Sequence, residues 1–286
     1  MLTVRLTAGG GAPAAVALPV TPPDRPDQPA RLPDTGVPES LRAECAAFLK
    51  QVRHSGGRGV VHTLPRPLGR PGRVLLVGVG DGEEAGWRSA GAALARSARR
   101  EPTLAVWLAA PSEAAVRGLV EGLMLASYRY RLGADAPDQA PRLRRVTLAV
   151  DDPDRYASAL ATAEVTAKMT ALARDLTNTP SSRKHPTWFA RQVEKAAAGY
   201  PGLRVLVRDE AQLRADGFGG VLAVGAGSAN PPCLVEVSWR PRSATRHVVL
   251  VGKGITFDTG GISIKPASAM ILMRKDMGGA AAVTAA

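Results

Sequence analysis

Arg73-Val74-Leu75-Leu76-Val77-Gly78-Val79 is a short apolar run that stops at Gly80-Asp81-Gly82 and gives way to an alanine-rich segment, Glu84 to Arg99. A run of this length, bounded by turn residues, reads as a buried strand, and the segment after it reads as a helix. Thr103-Leu104-Ala105-Val106-Trp107-Leu108 and Val146-Thr147-Leu148-Ala149-Val150 repeat the strand signal, and Ser112 to Ser127 repeats the helix. Strands alternating with helices of this length imply an α/β fold with a mainly parallel sheet and helices on its faces. Asp151-Asp152-Pro153 closes that unit. Gly78-Val79-Gly80-Asp81-Gly82 hints at a phosphate-cradling loop. It lacks the dinucleotide spacing and any P-loop lysine-serine pair, so a strand-to-helix turn is the better reading.

Working outward, Leu41 to Val52 reads as a further helix, and the proline-rich stretch Pro19 to Pro38 as a loop. Met1 to Val20 holds one arginine and is broken by Gly9-Gly10-Gly11, Pro13 and Pro19, a poor secretory signal. On the other side, Asp154 to Asp175 reads as a long alanine-rich helix connecting two domains, ended by the turn chemistry of Asn178-Thr179-Pro180-Ser181-Ser182. A second α/β unit follows: helix Pro186 to Ala198, strand Leu203 to Val207, helix Asp209 to Ala215, strand Leu234 to Ser238 and strand Val248 to Val251. The expected organisation is an N-terminal α/β domain over 1–152, a linker helix over 153–177 and a second domain over 178–286. No internal repeat is present.

The chain has 286 residues, 45% of them hydrophobic, enough for two domains with their own cores. No apolar run is long enough to span a bilayer. Cys45 and Cys233 lie far apart without metal spacing and read as buried thiols of a reducing compartment, with the cytoplasm as the expected location. The net charge of +12 is mostly scattered arginine, with only Arg96-Arg99-Arg100 and Arg142-Arg144-Arg145 as patches. With aromatics at 4%, no base-stacking platform is offered. A solvated, composition-driven surface explains the charge better than a nucleic-acid interface. His54, His62, His185 and His247 show no pairwise metal spacing, and His185 beside Pro186 reads as a local helix cap.

The C-terminal region carries the chemistry. Val249-Leu250-Val251-Gly252-Lys253-Gly254-Ile255-Thr256-Phe257-Asp258-Thr259-Gly260-Gly261 continues through Ile262-Ser263-Ile264-Lys265-Pro266 to Lys275-Asp276-Met277-Gly278-Gly279-Ala280-Ala281. Taken singly, Lys253 reads as a solvated turn lysine, Asp258 as a turn aspartate and Asp276 as a helix cap. Together, two lysines and two aspartates on tight glycine loops read as a site. Asp258 and Asp276 are hard oxygen donors suited to Mg, Mn or Zn. Lys253 would bind a metal only as the free amine, against a usual lysine pKa of about 10.4; a nearby cation and burial both favour that form. Glycines 252 and 254 would let the backbone approach closely.

This stretch resembles the signature of the leucyl aminopeptidases, the M17 family of two-metal exopeptidases. The family pattern runs Val-Gly-Lys-Gly, Thr-Phe-Asp-Ser-Gly-Gly, Ser-Leu-Lys-Pro and Lys-x-Asp-Met-Gly-Gly-Ala-Ala, with Thr259 and Ile264 as mild departures here. Glu121 to Tyr130, Ala173 to Ser181 and Gly225 to Pro232 extend the likeness, which is thin before Glu121. The resemblance implies that Lys253 and Asp276 hold one metal, that Asp258 contacts two, and that the ions are Mn or Zn. It further implies that Lys265 is catalytic, donating to the oxyanion of a tetrahedral intermediate. The implied substrates are peptides with a free N-terminus, leucine-like residues preferred, and the implied assembly is a homo-hexamer. The family's later Asn-Thr-Asp-Ala-Glu-Gly-Arg motif, which adds two metal carboxylates and an arginine, does not occur in these residues. The expectation is therefore an incomplete catalytic domain, inactive as it stands. The competing reading is a non-catalytic fragment or binding protein acting through its basic surface or N-terminal domain.

Overall fold

A computed structural model describes residues 2–9, 11, 13–25, 28–33, 36–131, 143–257 and 261–286. The chain divides into two units, Met1–Lys168 and Met169–Ala286.

The first unit is built on a six-stranded sheet in the order β1-β6-β5-β2-β4-β3. Its strands are β1 (Thr3–Ala8), β2 (Ala15–Val20), β3 (Val61–Pro65), β4 (Arg73–Gly78), β5 (Thr103–Trp107) and β6 (Arg145–Val150). All neighbours pair parallel except the edge strand β3, antiparallel to β4. Side chains alternate across the pleat. Leu75 and Val77 of β4 join a core with Leu104, Val106, Leu148, Val116, Leu119 and Leu94. Val74 and Leu76 face the other way, onto Val16, Leu18, Leu41, Cys45 and Leu49. The first core is covered by α2 (Glu84–Ser97), α3 (Glu113–Ser127) and the early turns of α4 (Ala157–Asn178), the second by α1 (Glu39–Gln51). The expected strands and helices of this unit all form, and the turn Val79–Gly82 links β4 to α2 as expected. Gly80 and Gly82 take positive φ there, 62° and 80°, which explains glycine at both positions.

Strands β1, β2 and β3 were not legible. β1 alternates polar Thr3, Arg5 and Thr7 with apolar residues, and β2 contains Pro19. Proline argues against a central strand. The ladder between β2 and β5 covers only Val16 and Ala17, so Pro19 falls outside it.

In α2 and α3, Gly91, Gly118 and Gly122 allow an unusually close crossing. A Cβ at Gly122 would lie 2.0 Å from the Arg88 carbonyl oxygen, and one at Gly91 2.2 Å from that of Leu119. Charges rim the same contact. Arg88 donates to Glu121 at 2.6 Å and to Glu84 at 2.6 Å, and Arg117 donates to Glu84. The arginines hold the Glu84 carboxyl below the usual carboxylate range. Glu121 thus has a structural partner.

The second unit holds the end of α4, α5 (Pro186–Ala197), β7 (Leu203–Arg208), α6 (Glu210–Ala215), α7 (Gly219–Gly225), β8 (Leu234–Trp239), α8 (Ala267–Ile271) and α9 (Gly278–Thr284). Leu176, Phe189, Val193, Met277 and Ala281 form its core, with Val205 and Val235 packed against them. His185 caps α5, accepting from the Trp188 N–H at 3.3 Å, as expected. Asp209 and Gln212 form a capping box on α6. The class is mixed α/β, and the parallel sheet is that of the first unit. β7 and β8 pair antiparallel.

Val248–Val251 corrects the sequence reading. The run was expected to be a strand, yet it forms no ladder among the described residues, and Val251 is 88% exposed. An apolar β-branched run becomes a strand only where a neighbour supplies hydrogen bonds, and no described residue pairs with it as a strand here. Among the described residues no helix is long and apolar enough to cross a membrane.

Candidate metal centre

Two segments of the second unit are locked backbone to backbone. The Ala280 N–H, in the first turn of α9, donates to the Lys253 carbonyl at 2.9 Å. Gly252 makes that approach possible: a Cβ there would sit 2.5 Å from the Gly279 oxygen and 2.7 Å from the Ala280 Cα. Gly254 is not needed in the same way. Its Cβ would meet only the Ala280 methyl, at 3.6 Å. The expectation that both glycines permit close approach therefore holds for Gly252 alone.

This lock brings two of the expected site residues together. Lys253 Nζ lies 3.7 Å from Asp276 Oδ2, with the lysine side chain 57% exposed and the aspartate 29%. Asp276 sits between a 3-10 turn (Leu272–Lys275) and α9, its N–H donating to the Met273 carbonyl at 3.1 Å. Asp258 lies outside the described residues. Lys265 is solvent-exposed in the bend before Pro266, which opens α8. It makes no ion pair or hydrogen bond with Lys253 or Asp276 among the described residues. Nor do these residues contain a group of three or more His, Cys, Asp and Glu that could hold a metal. What the structure assembles is an amine and one carboxylate, converging and open to solvent.

Beneath them lies a residue the sequence reading missed. Lys184 is fully buried, the only lysine among the buried residues described. Its ammonium donates to the carbonyls of Thr177 at 2.9 Å and Arg274 at 2.7 Å, and to Met277 Sδ at 3.2 Å. Burial, followed by the nearby Arg274 charge, pushes its pKa down to about 8. In Arg183-Lys184-His185-Pro186 it reads as a surface lysine. The one available hint was its place just past a helix end, where a cation can cap orphan carbonyls.

The thiols complete the chemistry. Cys45 is buried and its pKa is raised to about 11, chiefly by burial and then by Glu44. Cys233 is half-buried, with its pKa raised by burial.

Comparison with known proteins assigns the chain to a family. Residues 171–286 match the model of the cytosol aminopeptidase family, catalytic domain, and residues 18–132 match that of the N-terminal domain. The N-terminal match covers the region where motif resemblance was thin. A probable cytosol aminopeptidase of Leifsonia xyli subsp. xyli is 40% identical over 254 residues, covering 88% of this chain and 50% of the relative. Among solved structures, the bottromycin maturation enzyme BotP in complex with Mn is 33% identical with a TM-score of 0.72, covering 95% of this chain and 55% of BotP. A tomato leucine aminopeptidase mutant is 23% identical and shares the fold, with a TM-score of 0.78 over 100% of this chain and 58% of its own. The chain spans about half the length of the curated relatives it matches.

Proposed function

This chain belongs to the cytosol aminopeptidase family, the M17 peptidases, and on that premise we propose that it supplies donors to a divalent-metal site that releases N-terminal residues from peptides. The observation that carries the proposal is Lys253 Nζ, 3.7 Å from Asp276 Oδ2 across two locked backbone segments. That separation fits a shared ion. Two donors each about 2.1 Å from one tetrahedral cation lie roughly 3.4 Å apart. An amine with a carboxylate suits Mn or Zn, and the Mn bound by BotP supports the same choice.

In this reading Lys253, as the free amine, and Asp276 would hold one ion, and Asp258 would contribute a carboxylate to both ions. Bound there, such ions acidify a water and polarise a carbonyl. Lys265 donates from its ammonium to the oxygen that gains charge as the peptide bond is attacked, a contact strongest in the transition state. The substrate is a peptide with a free N-terminus, leucine-like residues preferred. Three assigned donors are too few to shape two ions, so residues 1–286 alone are inactive and full activity needs further carboxylates. The relatives' name supports a cytoplasmic setting. A homo-hexamer belongs to the same proposal, and light scattering would test it.

The test is release of leucine from leucine amide, with Mn or Zn, by residues 1–286 and by a chain that also carries an Asp-x-Glu-x-Arg segment. Turnover is expected only in the second. Comparable turnover by the two would refute the donor count. In the active form, Lys265→Ala should lower kcat on the order of a hundredfold with metal content unchanged. Loss of metal with kcat per bound metal preserved would show that Lys265 has another role.

A further inference from the structure

We propose that Lys184 is a positioning residue for the metal centre, fixing Asp276 by holding the Arg274 carbonyl before it and the Met277 side chain after it. The inference rests on the site reading just given, because it takes Asp276 to be a metal ligand. Two of the three acceptors of Lys184 flank that residue: the carbonyl of Arg274 at 2.7 Å and the sulfur of Met277 at 3.2 Å. The third, the carbonyl of Thr177 at 2.9 Å, belongs to the last turn of α4. One ammonium therefore ties the segment that carries Asp276 to the end of a 22-residue helix.

The anchoring of Lys184 itself is equally specific. The Pro180 carbonyl accepts from the N–H groups of both Arg183 and Lys184, at 3.0 Å each, so a tight turn after α4 aims the side chain inward. Thr177 and Thr179 donate their hydroxyls back to Ala173 and Asp175, which fastens the helix end that the turn leaves. Thr177-Asn178-Thr179-Pro180 thus gains a purpose: it seats a lysine under the site. The ammonium has three protons and meets three acceptors. Two of these are carbonyls near helix or turn ends, where unsatisfied oxygens favour a cation. Met277 is itself fully buried in the core with Leu176 and Phe189, so movement on that side is resisted as well. Burying a charge without a carboxylate beside it is costly. A residue serving stability alone would be better replaced by an apolar side chain. The retained ammonium fits a role in placing its acceptors.

The test compares Lys184→Met with Val193→Ala, a cavity in the same core that removes none of the three contacts of Lys184. Two readouts are taken on residues 1–286: hydrogen exchange of the 270–284 segment without metal, and Mn affinity from the spin-resonance signal of free Mn. Lys184→Met should speed exchange in that segment and weaken Mn binding about 10–100-fold, the usual cost of losing a residue that orients a ligand. Val193→Ala should leave Mn affinity within about threefold even where its melting temperature falls as far. Unchanged exchange at 270–284 in Lys184→Met, or equal loss of Mn affinity in Val193→Ala, overturns the proposal. If Lys184→Met does not fold, Lys184→Arg decides by the same readouts. Its planar fork cannot converge on three acceptors, so wild-type exchange and affinity in that variant would also overturn the proposal. Asp276→Asn and Lys253→Met separate the two readings. If Mn binding survives both, the site assignment has failed, and the exchange data alone judge the positioning claim.

Discussion

Gly252→Ala and Gly254→Ala differ by two positions around one lysine, and the structure gives them opposite outcomes. At Gly252 the added methyl would meet Gly279 oxygen at 2.5 Å and Ala280 Cα and N at 2.7 Å, where ordinary contact begins at 3.4 Å. These are backbone atoms and cannot swing aside, so the two segments must separate by about 1 Å, as overpacked contacts do. Overpacking of this kind costs about 1–3 kcal/mol. The stretched Ala280-to-Lys253 hydrogen bond adds about 1 kcal/mol. Against that, Gly252 is not in the left-handed region, so alanine recovers about 0.4–1 kcal/mol of unfolded-chain entropy. The net is about 2 kcal/mol of destabilisation, a fall of roughly 6–12 °C in Tm for a unit of this size. Metal distances hold to about 0.2 Å, so moving Lys253 by about 1 Å relative to Asp276 should cost at least about tenfold in Mn affinity. Gly254→Ala meets one methyl at 3.6 Å and should leave both quantities near wild type. Calorimetric melting with Mn titration decides. Equal behaviour of the two variants, in either direction, would refute the claim that the Gly252 contact sets the site.

Three further outcomes are expected. Gly122→Ala sets a gain in helix propensity of about 1 kcal/mol against a Cβ 2.0 Å from the Arg88 oxygen; urea denaturation should show a net loss of about 2 kcal/mol or more. Lys184 has a folded pKa near 8 and an unfolded value near 10.5. The unfolded chain therefore binds more protons between those values, and stability relative to Lys184→Met should rise as pH goes from about 8 to about 10, then level off. That difference should be flat below pH 8 in a series of melts, and a fall with rising pH would contradict the sign. Cys45, with its pKa near 11, should react with iodoacetamide at pH 8 at least about a hundredfold more slowly in the native protein than in urea, as peptide mapping would show.

Why some features were legible follows from what a sequence can encode locally. Arg73–Val79, Thr103–Leu108 and Val146–Val150 are apolar throughout because both faces of their sheet are covered, and that signal needs no knowledge of partners. β1 sits at the sheet edge and β3 at the other, and their half-exposed patterns blur the same signal. Val248–Val251 shows the reverse failure. Its composition announces burial in a strand, but strand formation is a property of a pair. The glycine-flanked lysine and the aspartate before α9 drew attention by their joint pattern rather than singly, and the fold brings their side chains to 3.7 Å. The fully buried Lys184 drew none. Its burial is decided by acceptors at 177, 274 and 277, which only the fold brings together.

The Lys253–Asp276 pair cannot hold itself in place. Its two side chains are 57% and 29% exposed and 3.7 Å apart, a spacing at which an ion pair contributes well under about 1 kcal/mol. Two long-range charges in water choose a geometry weakly, yet a metal demands one closely. Order must therefore come from elements that do not touch the ion. The structure offers two. Gly252 lets the Lys253 backbone dock on Ala280, and Lys184 draws the backbone around Asp276 onto the end of α4. The first acts on main-chain atoms, the second on one carbonyl and one buried side chain, and each bears on one member of the pair. Disturbing either should weaken metal binding without removing a ligand. Disturbing both should give a combined loss that departs from the sum of the single losses in free energy, since Met277 and Ala280 share the first turn of α9 and one core, and Mn titration of the double variant would show it.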